Sequence, residues 1–256
     1  MSPVIALTRP VPDSLAHCEL THLSRVPIDV DAARAQHQEY ERALASLGCD
    51  VRHIPAAHHH PDSVFVEDAA IVLDEVAIIA RPGAESRRGE RAAVAEALSR
   101  YRQLHALSEP ATVDGGDVLR LDRVLYVGVG ARTNPEGARQ LGELVKPYGY
   151  RVRSVQVAEC LHLKSAVTEL ASGLVLLNPA WIASRTFEGH DAIEVDPGEP
   201  FAANVLRVGH AVLCASAYDR TMRRLQSAGL TILPIDAGEL AKAEAGLTCC
   251  SLIFSG

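Results

Sequence analysis

One short pattern occurs four times along the chain, and it limits the fold more than any other feature of the sequence. Two apolar runs joined by a tight polar turn occur at residues 69–73 with 76–80, 118–121 with 124–129, 167–170 with 174–177, and 205–208 with 211–215. Each pair predicts a β-hairpin. Because a helix-like segment and another strand-like stretch follow each pair, the predicted unit is ββαβ.

Three of the predicted helices have recognisable end signals. Asn134 opens a helix over residues 136–145, and Asp219 is expected to cap one over residues 220–227. The third helix covers residues 33–47, has its apolar residues on one face and ends before Gly48.

The fifth unit is divided between the two ends of the chain. Residues 248–254 form an apolar run that can pair with residues 4–8, while residues 27–47 and 51–54 supply the helix and the last strand. Repeats that cannot bury their own faces stack on their neighbours, so five units predict a closed circular array. We predict a single domain over residues 1–256.

The residues that open the five hairpins connect this architecture to chemistry. They are Asp68, Asp114, His162, Asn204 and Cys249, and from Asp114 onward they are spaced by 48, 42 and 45 residues. Comparable positions of successive units converge on the axis of a closed array. We therefore expect two carboxylates, an imidazole, an amide and a thiol in one central cavity.

Three of these residues also have a purely structural interpretation. Asp114 could start a tight turn, His162 could be a satisfied core histidine, and Cys249, beside Cys250, could be an inert buried thiol. Their shared position in one repeat favours a functional cavity over these alternatives.

An acidic stretch, PDSVFVED at residues 61–68, lies directly before an apolar run. Asp62, Glu67 and Asp68 would be costly to remove from water unless they met a cation or hydrogen-bond donors. The stretch predicts either a site for a cationic ligand or an acidic loop in which Asp68 caps backbone amides. The formal net charge of −7 argues against nucleic acid as a partner.

The remaining composition is that of an ordinary soluble enzyme. No apolar stretch reaches the roughly 20 residues that a membrane helix needs, and the N-terminal residues lack a signal-peptide pattern. The six cysteines form no CxxC pair, which fits a reducing compartment. These features predict a cytoplasmic protein with no membrane partner.

Six segments, found from about Leu20 to the C-terminus, carry a family resemblance. They are PDSVFVED, RPGAESRRGE, TVDGGDVL, GARTNPEGARQ, LHLKSA and GLTCCSL. Together they resemble the dimethylarginine dimethylaminohydrolase family, part of the guanidine-modifying superfamily that includes arginine deiminase. The resemblance implies an α/β fold, the pentein fold, which is a five-bladed pseudo-symmetric propeller of ββαβ units and agrees with the repeat.

The resemblance also implies a mechanism. Cys249 would attack the guanidinium carbon of an Nω-methylated arginine while Asp68 and Asp114 hold the guanidinium nitrogens. His162, oriented by Asp114, would protonate the departing dimethylamine or methylamine and then activate the water that releases citrulline. This chemistry requires neither a metal ion nor an organic cofactor.

Substrate-binding roles are implied in the same way. Arg87 and Arg132 resemble the pair that binds the amino-acid carboxylate, which suits the guanidinium fork. Asp62 and the backbone carbonyl of Leu20 would bind the α-amino group. The methylated end of the substrate would be met by Phe65 and Glu67.

Two other functions stay open at this point. An arginine deiminase-like enzyme would act on unmethylated arginine, and a catalytically silent protein would use the same cavity to bind a cationic amino acid. A binding protein has no use for a thiol beside an imidazole, which favours an enzyme. We expect a monomer or a homodimer whose partner is a small methylated arginine.

Overall fold

The strands of the protein form five separate three-stranded sheets in a computed structural model that describes residues 3–256. In every sheet, an antiparallel hairpin is extended by a third strand that runs parallel to the middle one. In chain order the strands are β1 Val4–Thr8, β2 Cys49–His53, β3 Ala70–Val72, β4 Val76–Ile79, β5 Gln103–Ala106, β6 Val118–Leu121, β7 Val124–Val129, β8 Arg151–Gln156, β9 Val167–Ala171, β10 Leu174–Leu177, β11 Asp191–Glu194, β12 Leu206–Val208, β13 Ala211–Ala215, β14 Thr231–Ile235 and β15 Leu252–Ser255.

Four of the five units have an α-helix between their second and third strands, as the repeat predicts. The six α-helices are α1 Val30–Ser46, α2 Arg91–Leu98, α3 Pro135–Val145, α4 Leu163–Ala166, α5 Asp219–Ser227 and α6 Gly238–Ala241. The prediction of a helix in the unit of β9 to β11 is wrong, because only the 3₁₀ turn Ser184–Phe187 forms between β10 and β11. That connection contains Pro179 and Gly189, both of which disfavour a helix interior.

The ends of two helices test the capping predictions. Asn134 caps α3, and its side chain accepts a hydrogen bond from Gly137 N at 2.7 Å. The predicted cap at Asp219 is wrong, because this residue lies inside α5. Glu199 instead accepts hydrogen bonds from the first-turn amides of Arg220 and Thr221, at 2.9 and 2.7 Å.

The chain ends meet in one sheet, which confirms the divided fifth unit. β1 is antiparallel to β15, with Val4 opposite Ser255 and Leu7 opposite Leu252, and it is parallel to β2. In the other units the two strands of the hairpin follow one another in the sequence. Here the corresponding pair, β15 and β1, comes from opposite ends of the chain.

Five apolar clusters lie between the five sheets. Each cluster takes residues from two neighbouring sheets, and the last one joins the sheet of β12 to β14 to the sheet that contains the chain ends. In that last cluster Leu213 of β13 packs with Ala6 of β1. The clusters thus form a continuous circle, and the fold is a pseudo-symmetric α/β propeller of five units. Among residues 3–256, no helix is both long and apolar enough to cross a membrane.

Candidate active site

Short helical turns lead into the first strands of four units, and they carry the residues that the sequence places near the axis. Because the turns occupy the same position in each unit, their side chains converge. The turns and their residues are Val66–Ala69 with Asp68, Gly115–Asp117 with the preceding Asp114, α4 with the preceding His162, and Thr248–Cys250 with Cys249.

One small cavity collects most of the predicted side chains. The volume that the centre of a water molecule can occupy in this cavity is about 10 Å³, so the cavity holds about one water. Leu20, Asp114 and Glu67 are not among its lining residues. The predicted residues that line it are Asp62, Phe65, Asp68, Arg87, Arg132, His162 and Cys249.

His162 is a buried imidazole surrounded by carboxylates. Its Nε2 lies 3.0 Å from Asp114 Oδ2 and 3.9 Å from Asp68 Oδ1. Burial favours the neutral ring, but the charges of Asp68, Asp114 and Asp117 outweigh it and raise the pKa of His162 to about 9. The ring is therefore an imidazolium at neutral pH and can act as an acid.

Asp68 is a buried carboxylate with two different partners. Its Oδ2 accepts a hydrogen bond from Arg87 Nη1 at 2.7 Å, and its Oδ1 accepts one from Gly116 N at 2.9 Å. Burial acts to raise the pKa of Asp68, but the nearby cations of His162 and Arg87 hold it well below its usual range. Asp68 is thus an anion in the wall of the cavity.

Asp114 lies behind the imidazole. It is fully buried, its Oδ1 accepts a hydrogen bond from Gly83 N at 2.9 Å, and its Oδ2 faces His162. Asp114 does not line the cavity, and its expected contact with the guanidinium nitrogens stays a prediction. Its position fits the other expected role, which is orientation of the imidazole.

The two adjacent cysteines have different surroundings. Cys249 lines the cavity, and its Sγ accepts a hydrogen bond from Gly246 N at 3.4 Å. Cys250 is buried and does not line the cavity, although both cysteines belong to the apolar cluster beside β1. Burial, together with the charges of Glu67 and Asp68, raises the pKa of Cys249 well above its usual range, so the thiol is protonated in this state.

Most of the donor groups of Arg87 are used by the protein itself. Its Nε and Nη2 donate to Glu90, and Nη2 also donates to the carbonyl oxygens of Asp62 and Phe65. Nη1 donates one N–H to Asp68 and carries a second. Arg87 can therefore offer a substrate carboxylate little more than that one N–H.

Arg132 makes fewer hydrogen bonds within the protein than Arg87 does. Its Nη2 donates to Thr21 Oγ1 at 3.0 Å, and its Nη1 lies 3.8 Å from Asp114 Oδ2. Asp62, which also lines the cavity, accepts a hydrogen bond from Glu19 N at 3.1 Å. Arg132 and Asp62, which are predicted to bind the amino-acid end of the substrate, are thus hydrogen-bonded to the segment 19–25. This segment includes the partly buried Leu20.

Glu244 fastens the same segment from the other side. Its carboxylate accepts hydrogen bonds from three successive backbone amides, those of Thr21, His22 and Leu23. Its backbone has a φ of 58°, a conformation uncommon for a residue other than glycine. No role is predicted for this residue from the sequence.

Glu67, which is predicted to bind substrate, lies outside the cavity that contains Cys249. Its Oε1 accepts a hydrogen bond from Lys164 Nζ at 2.5 Å, and its Oε2 accepts one from Thr248 Oγ1 at 2.6 Å. It lines a separate cavity with Lys164 and Thr248 and does not reach the one that contains Cys249. Its position indicates that it holds the residue preceding the thiol.

Asn204 holds the same turn. Its Nδ2 donates to Thr248 Oγ1 at 3.1 Å, and its Oδ1 accepts from Thr248 N at 3.1 Å. The amide predicted at the axis therefore supports Cys249 through the neighbouring residue and does not itself line the cavity.

Three side-chain atoms of the site are close enough together to hold a metal ion. Donor atoms of Asp68, Asp114 and His162 all lie within 4.8 Å of one another. However, His162 is hydrogen-bonded to Asp114, and Arg87 already neutralises Asp68. These contacts already engage the atoms that a metal ion would need.

Comparison with known proteins identifies the family. A family model described as eukaryotic N,N dimethylarginine dimethylhydrolase matches residues 24–194. The N(G),N(G)-dimethylarginine dimethylaminohydrolase of Streptomyces coelicolor is 40% identical over 249 residues, which cover 96% of this chain and 95% of that protein. The chain belongs to the dimethylarginine dimethylaminohydrolase family.

Two further comparisons agree with the assignment to the dimethylarginine dimethylaminohydrolase family. The enzyme of that name from Pseudomonas aeruginosa is 34% identical over 88% of this chain and 90% of its own length. A solved structure of a mutant dimethylarginine dimethylaminohydrolase from Pseudomonas aeruginosa, complexed with citrulline, has a TM-score of 0.94 and 32% identity. The structural match covers 99% of this chain and 100% of the Pseudomonas aeruginosa chain.

Several supporting residues of this dimethylarginine dimethylaminohydrolase family member had no role assigned from the sequence. Asp117, Thr133 and Lys164 are polar or charged, yet Asp117 and Thr133 are almost fully buried. Their positions inside the quoted motifs are a signal, but their partners lie 16 to 97 residues away in the sequence.

Proposed function

We propose that this protein hydrolyses Nω-methylated arginines to citrulline and dimethylamine or methylamine through a covalent intermediate on Cys249. The observation that carries the proposal is the single cavity in which the Cys249 thiol, the His162 imidazolium and the Asp68 carboxylate meet. A thiol, an acid and an anion are the groups that hydrolysis of a resonance-stabilised cation requires.

The ionisation states suit the order of the steps. In the empty cavity, Cys249 is a thiol because burial and like charges oppose the thiolate. A bound guanidinium brings positive charge into the same space, which lowers the free-energy cost of ionising Cys249. The substrate cation thus helps to form its own nucleophile, while Asp68 holds that cation.

Bond making and breaking then follow from the groups present. When the substrate binds, the Cys249 thiol releases its proton to solvent. The thiolate forms a bond to the guanidinium carbon, and the bond from that carbon to the methylated nitrogen breaks. The His162 imidazolium gives its proton to the departing amine and becomes neutral. Neutral His162 takes a proton from water, and the resulting hydroxide attacks the same carbon. The bond to sulfur then breaks and the new hydroxyl group gives its proton to the departing thiolate, which yields citrulline and the Cys249 thiol.

The amino-acid end of the substrate would replace contacts that the segment 19–25 now makes. Arg132 would bind the carboxylate, helped by the second Nη1 hydrogen of Arg87, and Asp62 would bind the α-amino group. Phe65, which is almost fully buried in the cavity wall, would pack against the methylated end. We further propose that the protein acts in the cytoplasm as a monomer or homodimer.

Turnover measured on three substrates tests this function against the arginine deiminase alternative. Asymmetric dimethylarginine, monomethylarginine and arginine are supplied separately, and citrulline and the released amine are both quantified. We expect citrulline with matching dimethylamine or methylamine, and turnover efficiency on arginine at least about 10-fold lower. Equal or faster release of ammonia from arginine would support the alternative.

A further inference from the structure

Asp117 is a buried carboxylate that the steps above do not use. It is 2% exposed, ends the turn Gly115–Asp117, and is not among the residues that line the catalytic cavity. Both of its oxygens accept hydrogen bonds. Oδ1 accepts from Leu163 N at 2.9 Å, and Oδ2 accepts from Thr133 Oγ1 at 2.6 Å.

Each of these contacts lies next to a residue of the site. Leu163 directly follows His162, and Thr133 directly follows Arg132. The Thr133 hydroxyl has only one hydrogen, which it donates to Asp117, and its oxygen accepts the backbone N–H of Asp114 at 3.1 Å. One carboxylate therefore connects the backbone positions of His162, Arg132 and Asp114.

The surrounding backbone leaves these groups little freedom to move. A Cβ atom added at Gly128 would lie 2.8 Å from Asp117 Oδ1, and one added at Gly116 would lie 2.7 Å from His162 Nδ1. Both glycines thus permit a close approach that any side chain would prevent. The carboxylate and the imidazole are held against backbone on these sides.

Asp117 also contributes charge. The charged groups that face His162 are Asp68, Asp114 and Asp117, with Arg87 on the far side of Asp68 and Arg132 near Asp114. Burial raises the pKa of Asp117 to about 6, so it is mostly ionised at neutral pH. Its negative charge adds to the stabilisation of the imidazolium.

We propose that Asp117 is a positioning residue for this hydrolysis, which orients His162 and Asp114 through Leu163 and Thr133 without touching the substrate. The role rests on the proposed function for its catalytic consequence. The geometry of the four residues does not depend on which substrate enters the cavity.

The variant Asp117→Asn tests the proposal because it keeps the shape of the side chain and removes the charge. Its amide nitrogen would face either Leu163 N, which removes that hydrogen bond, or Thr133 Oγ1, which would then have to accept where it now donates. We expect kcat to fall by about 100-fold with KM within about 3-fold, as a small misplacement of reacting groups predicts. The alkaline limb of the kcat profile should move to lower pH, because His162 loses a facing anion.

Glu199→Gln is the matched control. Glu199 is also a buried carboxylate that accepts two hydrogen bonds, from the amides of Arg220 and Thr221, but it caps α5 away from the cavity. This variant should lower the melting temperature and leave kcat and its pH profile unchanged. If Asp117→Asn resembles Glu199→Gln in these respects, the positioning role is wrong.

A second pair of variants decides the matter if Asp117→Asn does not fold. Thr133→Val removes the hydroxyl between Asp117 and Asp114, whereas Thr133→Ser retains it. We expect Thr133→Val to lose kcat about 10- to 100-fold and Thr133→Ser to recover most of that loss. Equal activities of the two variants would overturn the proposal.

A titration of the ligand-free protein separates this proposal from the proposed function. The His162 resonance is assigned among the 11 histidines by comparison with His162→Gln and followed by NMR against pH. The pKa of His162 should be lower in Asp117→Asn than in the wild type. If Asp117→Asn does not fold, the pKa should be lower in Thr133→Val than in Thr133→Ser. An unchanged titration would contradict the positioning role, while failure of the wild type to act on methylarginines would contradict only the proposed function.

Discussion

The charge on His162 results from two opposing effects, burial and three surrounding carboxylates. Burial favours the neutral ring, and Asp68, Asp114 and Asp117 favour the imidazolium strongly enough to raise its pKa to about 9. A group whose pKa is raised on folding stabilises the folded state fully below its unfolded pKa of 6.5 and loses this contribution as the pH rises through its folded pKa. The stabilisation should therefore disappear between pH 6.5 and about 9.

We predict that the free energy of unfolding of wild type falls over this window relative to that of His162→Gln. The raised pKa sets an upper limit of about 3 kcal/mol on the change. Urea unfolding of both proteins at several pH values measures it. A difference between the two proteins that stays constant from pH 6.5 to 9 would show that His162 is neutral in the folded state.

Single residues were predicted well where the repeat specifies their position and less well where a distant partner decides their role. The convergence of Asp68, His162 and Cys249 on one cavity follows from their place in each unit. Arg87 forms a salt bridge with Glu90, and Glu67 forms one with Lys164. Both depend on side-chain packing, which spacing along the sequence does not reveal.

At the scale of elements, the segment 19–25 lies beside the cavity, and its first residue, Glu19, lines the cavity wall. It is fastened by Glu244, Arg132 and Asp62, and the space beneath it suffices for about one water. Since an arginine derivative is larger than one water, we expect this segment to move when substrate enters. Glu244 takes part in three of its hydrogen bonds and is therefore the contact that most affects its opening.

We predict that Glu244→Gln accelerates tryptic cleavage after Arg25 several-fold, because cleavage of a native protein follows the population of its locally opened form. Glu239→Gln is the control, since Glu239 accepts from Asp29 N and Lys242 Nζ on the neighbouring α6 but does not bind the segment. Cleavage rates are followed by gel electrophoresis under native conditions. Equal rates in the two variants would mean that Glu244 does not fasten the segment.

Local patterns in the sequence were sufficient for the hairpins but not for every helix. The runs at 118–121 and 124–129 coincide with β6 and β7, because polar turn residues mark both ends of alternating apolar stretches. The missing helix before β11 and the capping of α5 by Glu199 were not predicted. The capping carboxylate comes from 20 or more residues away, so no local signal indicates it.

At the scale of the whole molecule, the circle of apolar clusters ties every unit to two neighbours. Removing one unit would expose the apolar faces of both, so we propose that residues 3–256 behave as one domain. We predict one cooperative unfolding transition, in which fluorescence of the single tryptophan, Trp181, changes together with far-UV circular dichroism. Two separated midpoints would indicate independently folding parts.

The most direct measurement of the central claim is the mass of the protein after a brief incubation with asymmetric dimethylarginine and an acid quench. We predict an added mass equal to the substrate without dimethylamine, located by peptide mapping on Cys249. Cys250→Ser should show the same adduct and retain most citrulline formation, and Cys249→Ser should show neither. An adduct on Cys250, or undiminished citrulline formation by Cys249→Ser, would contradict nucleophilic attack by Cys249.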